Sequence, residues 1–475
     1  MSPGRGPNRS RTSEPAVDRS APPPPRAVEP YRFPAFSRRR LPGGVEVIPV
    51  PVSRAPLVDL ELLLPAGGRF DPPGGAGLAT LVSGLLDEGT EERSALEIAS
   101  AIERLGGRLE TGADWNAATV YVRLLDEYLE EGLRLLAELV LRPTFPDEEV
   151  ERARRHRLTD LLRRRDQPGV VAADEFYRLV YGDTVYGRPL VGLPGDMESV
   201  TRADIVRFYE RHYRLEDAVL IGAGELDPDR LQALAAEVLG VRPPREPAAE
   251  PAVVPPAASG VRVRIVDRPG AAQTELRLGH AGVPRAHPDW TALGVLNTLL
   301  GGKFTSRLNL NLRERHGFTY GVSSRFVPRL GPGPFLVNAA VANPGAGTAV
   351  REVLSELERL RREPVGEEEL RDTQSYILGV FPYTLQTVDG VLYHLEQLAV
   401  YDLPDDYHAP ERFLERLEAV TREEIQRVAQ EHLHPDQAAV VAVGPAEELA
   451  PQLEGLGEIE VVDAAPAVAD QSECT

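Results

Sequence analysis

Two stretches of this chain repeat each other, and no other feature narrows its possible folds as far. ESVTRADIVRFYERHYRLEDAVLIGAG, from Glu198, and EAVTREEIQRVAQEHLHPDQAAVVAVG, from Glu418, align without gaps at an offset of 220 residues. Each reads as a capped amphipathic helix followed by a short apolar strand. Thr201 with Asp204 and Thr421 with Glu424 mark the helix starts, the second as a Thr-x-x-Glu capping box. Ile205, Phe208 and Tyr209 match Ile425, Val428 and Ala429 as the buried stripe. A second pair, GLATLVSGLL from Gly77 and ALGVLNTLLG from Ala292, aligns at an offset of 215, with Leu78, Leu81 and Leu85 over Leu293, Leu296 and Leu300. Chance likeness between amphipathic helices accounts for one such pair; two in the same order argue for a duplicated domain.

Each half begins with strands (VEVIPVPV and LVDLELLLP; VRVRIVDR and TELRLGHAG), followed by a helix, a strand pair and a long helical stretch. That order predicts an α+β fold in which each half is a mostly antiparallel sheet with helices packed on one face. SALEIASAIERLGG fits, opening on a Ser94-x-x-Glu97 box and stopping at Gly106. Residues 1–37 are rich in Pro, Arg and Ser without an apolar period, which predicts a disordered arm. Residues 243–260 are proline-rich and predict a linker. The two domains are then 38–242 and 261–462, with a polar tail at 463–475.

Composition excludes some partners. Asp plus Glu count 73 against 53 Lys plus Arg, a formal charge of −20 that repels phosphate backbones, so nucleic acid is not expected. No apolar run is long enough for a membrane span, and the N-terminus lacks the apolar core of a secretory signal, so the expected address is the cytoplasm. The single cysteine, Cys474, lies in the tail, which leaves no disulfide within the chain and no cysteine-ligated metal site.

GLATLVSGLLDEGT, residues 77–90, predicts a helix with Leu78, Leu81, Val82, Leu85 and Leu86 on the core side. Thr80, Ser83, Gly84 and Asp87 share the opposite face, which is small and weakly polar. With the duplication and the linker, this stretch resembles the pitrilysin/insulinase family of inverted-zincin metallopeptidases, over roughly residues 40–460. Active members carry His-x-x-Glu-His in a Gly-Leu-Ala…Gly-Thr frame. Here the frame stands as Gly77, Leu78, Ala79, Leu86, Gly89 and Thr90, while the ligand places hold Thr80, Ser83 and Gly84. None of the three can replace an imidazole or take a proton from water. The family's third ligand, a glutamate in a later helix, falls by resemblance near Asp160, whose other use is a surface ion pair with flanking arginines. No two of the nine histidines are spaced i, i+4, and no Gly-x-Ser-x-Gly elbow is present.

LLGGKFTSRLNLNLRERHGFTYGVSS, in the second half, resembles the family's substrate-binding stretch: a glycine turn, Ser-Arg-Leu, then an arginine seven residues before a tyrosine. These are Arg313, expected in the last turn of a helix, and Tyr320, expected on the strand beyond. The resemblance implies that they hold a peptide near the scissile bond; by spacing alone they read as a helix-end cation and a sheet residue. It further implies a non-catalytic subunit with no cofactor of its own, facing a homologous zinc-bearing peptidase subunit across a chamber that admits peptides or unfolded polypeptide. The alternative it implies is a structural scaffold, like the core proteins of the respiratory cytochrome complex.

Overall fold

Alternation along the strands decides the architecture. The computed structural model describes residues 31–52, 55–240, 249 and 251–463. In the strand β3 (Leu57–Leu64), preceded by β1 (Arg39–Arg40) and β2 (Glu46–Pro51), Val58, Leu60, Leu62 and Leu64 are buried in one core cluster, while Leu63 lies in another across the sheet. With β4 (Arg108–Ala113), β5 (Ala118–Leu125) and β6 (Val219–Gly224) these form a six-stranded sheet of order β1-β2-β6-β3-β5-β4. The second half adds β7 (Arg262–Asp267), β8 (Gln273–Ala281), β9 (Val322–Phe326), β10 (Pro334–Ala342), β11 (Ala439–Gly444) and β12 (Glu458–Asp463). Their order, β12-β7-β11-β8-β10-β9, repeats the first apart from its outermost strand. The repeat in sequence is therefore a repeat in topology, and the α+β class holds. Most neighbours are antiparallel; β2 with β6, β7 with β11 and β7 with β12 run parallel.

Each half's own helices cover one face of its sheet, and the other face is covered by a helix from the opposite half. Val391, Leu392, Leu395 and Leu398 of the second half's helix Val388–Val400 join Ile48, Val50, Leu63 and Ile221 of the first sheet in one buried cluster. In return Ala172, Phe176 and Val180 of the first half's helix Pro168–Tyr181 pack with Val266, Leu336, Val441 and Val443.

Three local expectations need correction. Residues 31–37, expected in a disordered arm, are seated on the second half: Tyr31 meets the Phe381 ring at 4.9 Å and donates to His408 O at 3.2 Å, and Phe33 stacks on His408 at 5.5 Å. Aromatic burial outweighs the absence of periodicity there. Residues 1–30 of that arm, residues 243–248 and 250 of the linker, and residues 464–475 of the tail lie outside the described residues. The full capping box belongs to Thr201–Asp204; at Thr421 only the hydroxyl caps, because Glu424 pairs with Arg427 at 2.6 Å instead. The helix expected from residue 77 spans only Leu78–Ser83, then tightens into turns bonded i to i−3, such as Leu86 N to Ser83 O at 3.3 Å.

Candidate functional site: a cradle held by arginine and an exposed arginine–tyrosine pair

The frame residues around the short helix have structural duties. Gly77 sits at φ +88°, where a Cβ would lie 2.7 Å from the Gly192 backbone, so only glycine lets the two segments approach. The Asp71 carboxylate, a few residues before the helix, accepts from Gly77 N at 2.7 Å and Ala79 N at 2.8 Å and satisfies two of the free amides at the helix start. Burial pushes its pKa up to about 7 against the pull of those same bonds. Thr90 is buried and donates to Glu138 at 2.5 Å while accepting from Arg93 N, which fixes the turn that follows.

The ligand places themselves are otherwise occupied. Thr80 Oγ1 lies 2.9 Å from Gly77 O and accepts from Arg157 Nη1 at 2.9 Å. The same Arg157 nitrogen donates to Val191 O at 3.0 Å. Ser83, placed by helical period on the open face, is fully buried, its Oγ donating to Thr80 O at 3.1 Å. Gly84 alone is exposed. Asp160, on the helix Asp147–Arg165, lies 3.5 Å from His156 and 3.6 Å from Arg163, the surface pairing that was its alternative reading. The residue of that helix that reaches the cradle is Arg157, one turn earlier. Sequence reasoning missed it because the rotation of the long helix, not a count of residues, decides which side chain arrives. Two hydroxyls, a glycine and a guanidinium offer no imidazole, carboxylate or thiolate, so these residues do not fit a zinc ion.

Arg313 and Tyr320 are brought together on the second half. Residues Asn309–Arg315 form a widened helical turn, with His316 N bonded five residues back to Asn311 O at 3.1 Å. Tyr320 is not on the strand: it occupies the bend two residues before β9 and is 91% exposed. The Arg313 guanidinium carbon lies 5.4 Å from its ring centroid and 4.2 Å from that of Phe304, itself 66% exposed. Two buried residues that sequence reasoning passed over build this support. Asn309 clamps the start of β9, donating to Val322 O at 2.9 Å and accepting from Val322 N at 3.2 Å. Thr319 Oγ1 donates to Ala340 O at 2.7 Å and accepts from Gly321 N at 3.1 Å, fixing the bend. Gly301 is required for a reason other than helix termination: a Cβ there would lie 2.7 Å from Ser324 N. Among the described residues, no hydrogen bond, ion pair or ring contact joins Arg313 or Tyr320 to Thr80, Ser83, Gly84 or Asp160.

One half thus holds a frame without metal ligands, and the other a braced arginine–tyrosine pair. Comparison with known proteins places the chain: residues 51–192 match the family described as insulinase (peptidase family M16), and residues 199–376 match the peptidase M16 inactive domain. Together these span well over half of the chain, and the protein belongs to the M16 peptidase family. An uncharacterized zinc protease of Mycobacterium tuberculosis H37Rv is 29% identical over 411 residues, covering 86% of this chain and 93% of that one. The beta subunit of mouse mitochondrial-processing peptidase is 25% identical over 397 residues, covering 82% and 80%. A crystal structure of a peptidase M16 inactive domain from Pseudomonas fluorescens superposes with a TM-score of 0.79 at 27% identity, over 86% of this chain and 98% of that one. A Helicobacter pylori protease at 20% identity and the same TM-score, covering 87% and 100%, shares the fold. Among the described residues, no helix is long and apolar enough to cross a membrane.

Proposed function

We propose that this chain is the non-catalytic subunit of a two-chain zinc metallopeptidase. It forms half of a chamber and offers Arg313 and Tyr320 in trans to a homologous subunit that carries His-x-x-Glu-His and the zinc. The observation that carries this reading is the pairing of the two side chains on an exposed, well-braced surface in a chain whose own cradle is filled by Arg157. Guanidinium and phenol are hydrogen-bond donors that can hold a peptide carbonyl and stabilise charge developing on its oxygen, work that requires no metal on the same chain. The mouse relative is by name one subunit of a peptidase, which supports a partnered rather than a solitary role.

The test is co-expression with the zinc-bearing homologue from the same genome. Peptide cleavage is expected from the pair and absent from this chain alone. Arg313→Ala is expected to lower the pair's kcat by about 10²-fold, the usual loss for one oxyanion donor, with the pair still associating. Cleavage by the isolated chain, or a pair indifferent to Arg313→Ala, refutes the assignment.

A further inference from the structure

The second half holds a cluster of donors that the peptidase reading does not use. His287 and Asp289 lie on the turn that opens the helix Trp290–Asn297, and His432 is the last residue of the helix Arg422–His432. The turn and the helix end are 143 residues apart in sequence, counted from Asp289 to His432, yet one ligand-capable atom from each of the three residues falls within 4.8 Å of the others. His432 Nε2 is 2.7 Å from Asp289 Oδ2, and His287 Nδ1 is 3.9 Å from the same oxygen. The two imidazole centroids are 5.0 Å apart, with the rings near perpendicular. We propose that His287, Asp289 and His432 form a binding site for a first-row divalent cation of the zinc, cobalt or nickel type.

Donor chemistry selects that class. Two imidazole nitrogens and one carboxylate oxygen suit a borderline ion, whereas calcium and magnesium prefer an all-oxygen shell. The surroundings supply charge. Asp289, Glu424 and Glu431 meet a single guanidinium, Arg427, so with neutral histidines the site carries an excess of two negative charges. A divalent ion offsets that excess. Arg427 acts as the outer partner of the carboxylate: Nη2 donates to Oδ1 at 2.6 Å and Nη1 more weakly to Oδ2 at 3.2 Å, the oxygen that also faces both imidazoles.

Ligands about 2.1 Å from a tetrahedral ion stand about 3.4 Å apart. The 2.7 Å contact must then widen by about 0.7 Å and the 3.9 Å contact close by about 0.5 Å. His287, a third exposed on its turn, can supply that movement in exchange for its weak bond from Asp289 N at 3.2 Å. The partial exposure leaves room for a water as the fourth ligand. The fold does not demand this cluster: at the equivalent places of the first half stand Pro72 and Gly74, and the matching histidine, His212, is stacked on Phe70 at 4.7 Å. Sequence reading sought histidine pairs within one helix and passed over a set shared between two.

The test titrates the full-length chain with cobalt(II), reading d–d absorption, and displaces the cobalt with zinc. One equivalent is expected per chain. It should be lost in His287→Ala and in His432→Ala, and unchanged in Arg157→Ala and Cys474→Ser. Zinc should raise the melting temperature of the parent chain and leave that of His287→Ala unmoved. His287→Ala sits on a partly exposed turn and should melt like the metal-free parent, which separates loss of a ligand from loss of fold. No stoichiometric uptake by the parent chain, or uptake unchanged in both histidine variants, overturns the proposal. None of these readouts depends on a peptidase partner.

Discussion

At the scale of single residues, a guanidinium and a divalent ion compete for the same space between the helix Leu78–Ser83 and the helix Asp147–Arg165. A zinc ion about 4 Å from the Arg157 charge would be repelled by about 8 kcal/mol at an effective dielectric constant of about 20. Installing the two missing imidazoles, Thr80→His with Gly84→His, is therefore expected to add no zinc to whatever the parent chain binds. Adding Arg157→Glu removes the cation and supplies a carboxylate, and one further equivalent should appear by atomic absorption. Uptake by the double variant would show that Arg157 does not bar the site. A half-buried carboxyl gives a second prediction. Burial, with the nearby Glu396 charge, pushes Glu61 up to about 8. Between the ordinary carboxylate value near 4.5 and pH 8 the folded chain keeps a proton that the unfolded chain has released. Its contribution is thus complete at low pH and lost as pH rises through that window. Glu61→Gln should melt close to the parent at pH 5 and higher by about 2 °C or more at pH 9. A difference that stays flat across that range would count against the burial argument.

At the scale of elements, the segment 31–37 and the helices it touches act as one unit. Arg38, just beyond it, bonds Asp405 of the second half at 2.6 Å and Glu46 of the first at 2.7 Å, so the strap ties the halves together. Beneath it His394 and His408 are buried, their pKa values pushed down to about 4 and 3 by burial, helped by the Arg285 charge. Histidines held neutral in the fold stabilise it fully above their unfolded value near 6.5, and that support is lost as pH falls towards 4. Phe33→Ala opens the site to water and lets these values rise. The variant should melt below the parent at pH 7.5, with the gap narrowing by pH 5; a gap that widens in acid would sink this account. The strap was not legible because proline-rich composition hides three aromatics, Tyr31, Phe33 and Phe36, whose partners lie hundreds of residues away. Apart from the repeat at an offset of 220 residues, what was legible was local. The apolar alternation of β3, the Ser94 and Thr201 caps, and the ligand-poor places Thr80, Ser83 and Gly84 can all be read within one or two turns of chain. The rotation that delivers Arg157, and the bend that puts Tyr320 ahead of its strand, depend on packing that no short window contains.

At the scale of the molecule, the exchange of helices decides whether either half can exist alone. The sequence of Pro168–Tyr181 declares an apolar face in Ala172, Phe176 and Val180 but not which sheet receives it. That sheet belongs to the other half. Residues 38–242 expressed alone would expose this face and also strip the cover from Ile48, Val50, Leu63 and Ile221. Two uncovered apolar surfaces on one fragment favour association over a monomeric fold. The fragment is therefore expected in aggregates, and co-expression with residues 243–475 should return a soluble complex. Within the intact chain the same logic makes Phe176, fully buried, a joint between halves rather than a core residue of either. Phe176→Ala should cost about 3–5 kcal/mol by the usual cavity and transfer terms. If the halves are one cooperative unit, the loss appears as a single transition at lower denaturant whether the probe reports on Trp115 in the first half or Trp290 in the second. Two separated transitions would mean that the exchanged helices decorate independent domains, and that any chamber these halves build with a partner rests on a hinge rather than on a rigid frame.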